Sequence, residues 1–181
     1  MPRVTSGKAK NLQLEVPEIE DIRVVQDIVK LAVFSIIGAD IENSTCLDLF
    51  AGSGSMGIEA LSRGAKWCDF VDESYDAKEA ITNNLQKAGF VENFAIFTKN
   101  AVKYLKKCES KYDYIFADPF YKDTAHKFLI KQLENLLESG GQVMFLHGEN
   151  LNMDELITDT SFFKFTERKF GASIVTILMQ R

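Results

Sequence analysis

Three glycines stand in the spacing G-x-G-x-x-G at Gly52, Gly54 and Gly57, directly after the apolar run Thr45–Phe50. Glycine allows a sharp backbone turn and the close approach of a ligand, because it has no Cβ. A helix that begins behind such a loop offers unpaired N–H groups to an anionic or carboxylate group. The spacing alone is a weak signal, but between a strand and a helix it predicts a site for a nucleotide-like ligand.

An acid follows this loop at the distance expected of a nucleotide site. Asp72 stands 20 residues after Gly52, at the end of the next apolar run. A carboxylate in that place can accept hydrogen bonds from both hydroxyls of a ribose. The alternative is a structural glycine turn beside a surface acid. Because the loop, the helix and the spaced acid occur together, we favour the nucleotide site.

The loop and its acid do not by themselves distinguish a dinucleotide from S-adenosylmethionine. A dehydrogenase with such a loop usually carries a separate substrate domain, and a chain of 181 residues leaves no room for one. Two β-rich runs near the C-terminus, which we predict to form a hairpin, point in the same direction. We therefore expect S-adenosylmethionine as the cofactor.

The tetrapeptide Asp118-Pro119-Phe120-Tyr121 follows a fourth apolar run. Ligands of open α/β sheets bind outside the carboxyl ends of the strands, so this segment should face the reactive end of the cofactor. The acceptor chemistry that this segment suits is methyl transfer to the exocyclic amine of a planar base. Such an amine is a poor nucleophile because its lone pair is delocalised into the ring of the base. Asp118 and the Pro119 carbonyl can accept from that amine and stabilise developing positive charge. Tyr121, or alternatively Phe120, can stack on the base.

Alternating strands and helices must position these residues. The apolar runs predict strands at 45–50, 67–72, 94–98, 112–117, 143–147, 162–170 and 173–179. Helices are predicted at 21–37, 56–63, 75–88, within 99–111 and at 123–137. This alternation implies an α/β fold with helices on both faces of a mostly parallel seven-stranded sheet and a C-terminal antiparallel hairpin. That is the Rossmann-like architecture expected of a class I methyltransferase.

Small residues mark the predicted ends of these helices. Ser74 is predicted to cap the third helix. Gly64, Gly89 and the pair Gly140–Gly141 are predicted to end the helices that precede them. Residues 1–17 are predicted to form an extended or hairpin-like arm before the first helix.

Composition limits the function classes. With 46% hydrophobic and 26% charged residues, the chain fits one soluble domain over 1–181, in which 1–40 form the arm and first helix. No apolar run approaches the ~18 residues of a membrane span, and the N-terminus lacks a signal-peptide core, so we expect a cytoplasmic protein. Three scattered cysteines and two histidines show neither a disulfide framework nor a metal-ligand spacing, so no metal is expected.

A net charge of −5 argues against a non-specific nucleic-acid binder. Two local basic segments remain. One is the arm, which carries Arg3, Lys8 and Lys10 before its first acid. The other is the segment 99–111, which carries five lysines against one acid. For that second segment a solvated helix face is the favoured interpretation.

With these residues identified, the chain resembles the RsmD-type methyltransferases, which modify the N2 of a guanine in 16S ribosomal RNA. The stretch Leu47–Ala65 is the most specific part of the resemblance. Residues 3–10 are similar to the family's opening arm, residues 27–37 to its first helix, and residues 118–121 to its D-P-P-Y motif. The similarity spans nearly the whole chain.

The resemblance implies a role for each part of the site. It places the methionine end of the cofactor on Asp48 and the glycine loop, the ribose on Asp72, and the adenine on Asn100 and Ala101. The full set of expected cofactor contacts is Asp48, Phe50, Gly52, Ser53, Gly54, Asp72, Glu73, Asn100, Ala101 and Asp118. The expected partner is 16S rRNA or a small-subunit ribosomal particle, contacted by Arg3, Lys8, Lys10 and Arg23. A monomer is favoured.

The chain departs from the family pattern at three places. Phe120 replaces a second proline, which loosens the loop or brings a new ring into the site. Asn100 replaces an aspartate, and an amide can still accept and donate hydrogen bonds. Near the expected RNA side, Val24, Val25 and Ile28 stand where the family has polar and basic groups.

Two alternatives to guanine-N2 methylation stay open from the sequence. The same type of tetrapeptide serves methylation of adenine N6 and of a protein glutamine amide. A different class is a binding module that keeps cofactor affinity but has little or no turnover, which the Phe120 substitution and the sparsely basic arm motivate.

Overall fold

The computed structural model describes residues 1–18, 25–119 and 126–181. Their strands, in chain order, are β1 (Thr45–Leu49), β2 (Trp67–Asp72), β3 (Phe94–Thr98), β4 (Tyr112–Ala117), β5 (Leu137–Gly148), β6 (Phe162–Phe170) and β7 (Ser173–Gln180). They form one sheet in the order β3-β2-β1-β4-β5-β7-β6. The pairs among β1 to β5 are parallel, whereas β7 lies between β5 and β6 and runs antiparallel to both. The predicted seven-stranded, mostly parallel sheet with its terminal hairpin is confirmed.

Helices cover both faces of the sheet. They are α1 (Asp27–Ile37), α2 (Ser55–Ser62), α3 (Tyr75–Lys87), α4 (Ala101–Leu105), α5 (His126–Glu134) and α6 (Met153–Leu156), and a single 3-10 turn, Gly38–Ile41, follows α1. One buried apolar cluster joins α1, α2 and α3 to one face, and a second joins α4, α5 and α6 to the other. In the described ranges, no helix combines the length and the apolar character that crossing a membrane requires.

The sheet reverses its direction of growth between β1 and β4. From β1 the chain adds β2 and then β3 on one side, and afterwards β4 and β5 on the other. Because β1, β2 and β4 are parallel, their carboxyl ends meet at the same edge. A crevice opens outside such a reversal, and it is the usual ligand position in this architecture.

The predicted helix ends hold in part. Ser74 caps α3 as predicted, since its hydroxyl accepts from the backbone N–H groups of Asp76 at 3.1 Å and Ala77 at 3.4 Å. The helix predicted from residue 21 begins at Asp27 in the described chain, because Gln26 is extended. Residues 19–24 lie outside the described part.

The prediction for Gly140–Gly141 is wrong. The preceding helix, α5, already ends at Glu134, and both glycines lie inside β5. The pairing of β4 with β5 jumps from Tyr112↔Leu137 to Tyr114↔Gln142, so the strand bulges between these two pairs. Gly140 has φ +82° there, a conformation that suits glycine in a bulge. The two glycines therefore bend a strand and do not end a helix.

The N-terminal arm is hairpin-like, as predicted. Arg3 and Gln13 form an antiparallel bridge, and the Val4 N–H donates to the Leu12 carbonyl at 2.9 Å. The Lys8 N–H donates to the Ser62 carbonyl at 2.8 Å, which fastens the arm to the end of α2. The arm is thus packed on the helical layer of α1, α2 and α3.

Gly57 allows α2 to lie close to β2. A Cβ added at this glycine would stand 2.3 Å from Phe70 Cε1 and 2.7 Å from Cys68 Sγ. Both of those side chains belong to β2 and are fully buried. The third glycine of the motif therefore brings the helix against the sheet, which fixes where the loop before it lies.

We expect Gly57→Ala to lower the free energy of unfolding by about 1–3 kcal/mol, because the added methyl group overpacks this contact. Urea denaturation of both proteins measures the difference. Ser35→Ala, at an exposed position of α1, serves as the control and should change stability by less than about 0.5 kcal/mol. Equal stability of Gly57→Ala and the wild type would contradict the packing role.

Candidate active site

A cavity of about 140 Å³ opens at the carboxyl ends of β1, β2 and β4. A second cavity of about 230 Å³ lies beside it, along Lys99, Asn100 and Ala101. Both cavities are bordered by Phe50, Asp72 and Glu73. The two cavities are therefore neighbours that share this part of their walls.

The loop after β1 turns sharply through left-handed conformations. Phe50 has φ +65°, Gly52 +53° and Gly54 +74°. Gly52 and Ser53 border the first cavity. Gly54 instead faces the helical layer, since a Cβ there would stand 3.2 Å from Ile81 and 3.3 Å from Phe70. Of the three motif glycines, the first thus lies at the cavity, while Gly54 serves the turn and Gly57 the packing.

Asp48 lies at the base of the first cavity and is 4% exposed. Its Oδ2 accepts from the Gly57 N–H at 2.8 Å, which ties the first turn of α2 to β1. The pKa of this carboxyl group is raised to about 7, chiefly by burial; the Gly57 hydrogen bond opposes the rise, and the nearby charges of Asp72 and Asp118 add to it. Negative charge is therefore concentrated where these three acids border one cavity, which favours a cationic ligand group.

Asp72 ends β2 and holds two loops in place. Its Oδ2 accepts from the Gly52 N–H and its Oδ1 from the Ser74 N–H, each at 2.9 Å. A carboxylate oxygen has a second lone pair, so each oxygen can also accept from a ligand hydroxyl. The predicted ribose contact fits this geometry.

Asn100 is engaged with its own neighbourhood. Its Oδ1 accepts from the N–H groups of Val102 at 3.1 Å and Lys103 at 3.4 Å, and so caps α4. Its Nδ2 donates to Glu73 Oε2 at 3.0 Å. An aspartate at this position would repel Glu73, whereas the amide binds it. The amide at this position therefore links two of the residues that border the second cavity, Asn100 and Glu73.

The acceptor residues fall partly within the described chain. Asp118 directly follows β4 and borders the same cavity as Asp48 and Asp72. Pro119 is buried beside it. The other two predicted acceptor residues, Phe120 and Tyr121, lie outside the described residues.

The predicted RNA contacts do not gather at the cavity. Arg3 Nε lies 2.9 Å from Asp27 Oδ2, so this arginine forms an ion pair with α1. Lys8 and Lys10 are exposed on the arm, which is fastened at Ser62. That end of α2 is about 10 Å along the helix axis from Ser55 at the cavity. Arg23 lies outside the described residues.

Sequence reasoning missed one polar group in the cavity wall. Ser55 begins α2, borders the first cavity and is 4% exposed. Its hydroxyl has no hydrogen-bond partner within the described part of the chain. Because an unpaired buried hydroxyl costs about 1–3 kcal/mol, a ligand group is its expected partner. No local pattern distinguishes this serine, because its importance depends on its burial beside the cavity.

Comparison with known proteins gives concordant matches. The model of a family described as "Conserved hypothetical protein 95" matches residues 2–179. "Putative rRNA methyltransferase YlbH" of Bacillus subtilis is 32% identical over 184 residues, 99% of each chain. "Ribosomal RNA small subunit methyltransferase D" of Escherichia coli K12 is 30% identical over 77% of this chain and 68% of that protein. The solved structure of "Putative methyltransferase yhhF from Escherichia coli" has a TM-score of 0.85 at 22% identity, over 99% of this chain and 97% of its own, and so shares the fold.

The pKa of Asp48 predicts a pH-dependent stability. A raised pKa means that the protonated form stabilises the fold at low pH and that this contribution is lost as the pH rises through about 7. Asp48→Asn keeps an oxygen for the Gly57 N–H but cannot ionise. From pH 5 to pH 8, the free energy of unfolding of Asp48→Asn should therefore rise by roughly 2–3 kcal/mol relative to that of the wild type.

Denaturant unfolding of both proteins at several pH values measures this change. Asp76→Asn, at an exposed position on α3, is the matched control for the same chemical substitution. If wild type and Asp48→Asn lose or gain stability in parallel across this range, Asp48 does not titrate as described.

Proposed function

The chain belongs to the family described as "Conserved hypothetical protein 95", and from this membership and the geometry of the cavity we propose that it is an S-adenosylmethionine-dependent methyltransferase of ribosomal RNA. Its proposed acceptor is the exocyclic N2 of a guanine in 16S rRNA. The RsmD-type resemblance seen in the sequence is confirmed by relatives whose names are those of rRNA methyltransferases.

One observation carries the proposal. The acid of the acceptor motif, Asp118, borders the same cavity as the two acids of the cofactor motif, Asp48 and Asp72. These residues come from three different strand ends and meet because β1, β2 and β4 are parallel neighbours. A group bound on Asp118 is thereby held next to a cofactor bound on Asp48 and Asp72, which is the positioning that methyl transfer needs.

The residues present fit S-adenosylmethionine. When bound, this cofactor supplies a methyl group activated by a sulfonium, and it carries an ammonium and a carboxylate on its methionine end. Asp48, Asp72 and Asp118 provide the negative charge for the two cationic groups. The unpartnered Ser55 hydroxyl, at the N-terminal end of α2, can donate to the carboxylate. Asp72 holds the ribose, and the second cavity beside Asn100 and Ala101 receives the adenine.

Asp118 and Pro119 act on the acceptor amine. The Asp118 carboxylate and the Pro119 carbonyl accept from the two N–H groups, which turns the nitrogen lone pair out of the base plane. Methyl transfer would break the methyl–sulfonium bond, whose electron pair stays on sulfur, and would leave the acceptor nitrogen positively charged. Asp118 would stabilise that charge until the N–H proton is lost to solvent. Phe116 and Leu146 supply apolar wall beside this acid. Base stacking remains assigned to Tyr121, with Phe120 as the alternative ring.

The arm provides a second contact with RNA in this proposal. Arg3 is held by Asp27, so the exposed Lys8 and Lys10 are left to meet phosphates. Their position at the far end of α2 from the cavity fits a substrate that extends well beyond one nucleotide. A large folded RNA or a ribosomal particle meets that requirement.

We expect Asp118→Ala to reduce methyl transfer by about 10²–10³-fold, because a carboxylate that stabilises transition-state charge is lost. Transfer of labelled methyl from S-adenosylmethionine to small-subunit particles measures the rate. Glu109→Ala, an exposed acid after α4, is the control and should keep full activity. Robust turnover by Asp118→Ala would contradict the assignment.

Mass spectrometry of the labelled product locates the methyl group. N2-methylguanine supports the proposal. A methyl group on adenine N6 or on a protein glutamine amide would show that the same site serves a different planar amine.

We expect Lys8→Ala and Lys10→Ala to raise the KM for the RNA substrate while kcat stays unchanged, since each lysine contacts phosphate far from the cavity. A plot of the logarithm of RNA affinity against the logarithm of salt concentration has a negative slope. Each substitution should reduce the magnitude of that slope by about one. Methyl-transfer kinetics at several salt concentrations measure both quantities. Lys78→Ala, an exposed lysine on α3, is the control, and an identical salt slope in the arm variants and the wild type would exclude the arm as an RNA contact.

A further inference from the structure

We propose that Asn84 is a positioning residue that holds the cofactor loop in its binding conformation and links it to the N-terminal arm. Asn84 lies on α3 and is fully buried. Its Nδ2 donates to the Ser53 carbonyl at 3.0 Å and to the Glu15 carbonyl at 2.9 Å. Its Oδ1 accepts from the Glu15 N–H at 2.8 Å. One side chain thus connects the loop, the helix and the arm.

The loop side of this connection sets the orientation of one peptide plane. Ser53 is 7% exposed and borders the first cavity. It stands between Gly52 and Gly54, which both have left-handed φ angles. Glycines allow many backbone conformations, so an outside contact must select one. Asn84 holds the Ser53 carbonyl, while the Gly54 N–H of the same peptide donates to the Ala51 carbonyl at 2.7 Å.

The arm side is fastened by more than one residue. Asn83 Nδ2 donates to a Glu15 side-chain oxygen at 3.1 Å, and Lys87 forms an ion pair with the same carboxylate. Val25, which follows Glu15 in the chain, also borders the first cavity. The arm at Glu15 and the cofactor loop at Ser53 are therefore both held by Asn84 on α3.

An amide is the side chain that suits this anchor. Two donors and one acceptor are needed at one point, and a primary amide provides both kinds of group on a short stem. A carboxylate would face two backbone carbonyls without a proton to donate. An alanine would leave two carbonyls and one N–H without their partner in a buried place.

The inference rests on the proposed function, because it names S-adenosylmethionine as the ligand of the loop. Loss of the anchor should weaken cofactor binding, and therefore raise the cofactor KM. It should leave kcat at saturation close to the wild-type value, because Asp118 and Pro119 are untouched. A residue that only stabilised the fold would not separate these two parameters.

Isothermal titration of the full-length protein with S-adenosylhomocysteine tests the anchor without requiring turnover. For Asn84→Ala we expect binding about tenfold weaker than in the wild type, the equivalent of one or two lost hydrogen bonds. Methyl-transfer kinetics on the same protein should show the rise in cofactor KM.

Ser62→Ala is the matched control. The Ser62 hydroxyl is also buried and also fastens the arm, since it accepts from the Ala9 N–H at 2.9 Å and donates to the Ser6 carbonyl at 2.6 Å. None of these contacts involves the cofactor loop. Ser62→Ala should lose thermal stability as Asn84→Ala does, yet bind S-adenosylhomocysteine within about twofold of the wild type.

If the wild type and Asn84→Ala bind S-adenosylhomocysteine equally well, only the role of Asn84 is overturned. If the wild type does not bind it, the proposed function is contradicted as well.

If Asn84→Ala does not fold, hydrogen exchange of the Asn84 side-chain amide in the wild type tests the same role. We expect this exchange to slow when S-adenosylhomocysteine saturates the protein, because the loop then holds its carbonyl in place. Unchanged exchange would overturn the role.

Discussion

Two carboxylates at the ends of neighbouring strands hold the backbone of the cofactor loop, and the rest of the site depends on them. Asp48 accepts from the N–H of Gly57 and Asp72 from the N–H of Gly52. These bonds bring the loop and the first turn of α2 to the sheet edge. The same two carboxylates put negative charge at the wall of the cavity. Loop shape and attraction for a cationic ligand therefore have one origin.

The reversal of the sheet between β1 and β4 then brings the acceptor acid to this wall. Asp118 follows β4, and it reaches the cavity because β4 lies directly beside β1. Burial raises the pKa of Asp48 most, and the charges of Asp72 and Asp118 add to that rise. Three acids that border one cavity are unfavourable for the isolated protein, and the cationic cofactor proposed for this site would relieve that repulsion. Binding and the arrangement of the catalytic groups are thus connected through electrostatics.

The sequence predicted the parts of the fold that local patterns determine. The strands β2, β3 and β4 have the predicted bounds, because each is a short apolar run ended by polar or glycine residues. That Asp72 and Asp118 share one edge follows from parallel strands alone. The prediction that Gly140–Gly141 end a helix is wrong, because a glycine pair is as typical of a strand bulge as of a helix end. Only the pairing of β5 with β4 distinguishes the two.

The anchoring residues could not be predicted for a different reason. Asn83 and Asn84 are adjacent amides on α3, and the helical spacing places Asn84 on the buried face with Ala80 and Ile81. That spacing does not identify its partners, Ser53 and Glu15, which lie 31 and 69 residues away along the chain. The importance of Ser55 could not be predicted either, because it depends on a buried hydroxyl that has no partner in the described chain. The role of each residue follows from its three-dimensional surroundings and not from local pattern.

Methylation of a guanine in 16S rRNA is the activity that we propose for the cavity shared by Asp48, Asp72 and Asp118. A mass-spectrometric map of 16S rRNA from cells with and without this protein tests this activity most directly. We expect one N2-methylguanine to disappear when the protein is removed, and to return when the wild-type protein is supplied again. An identical methylation map in both kinds of cell would contradict it.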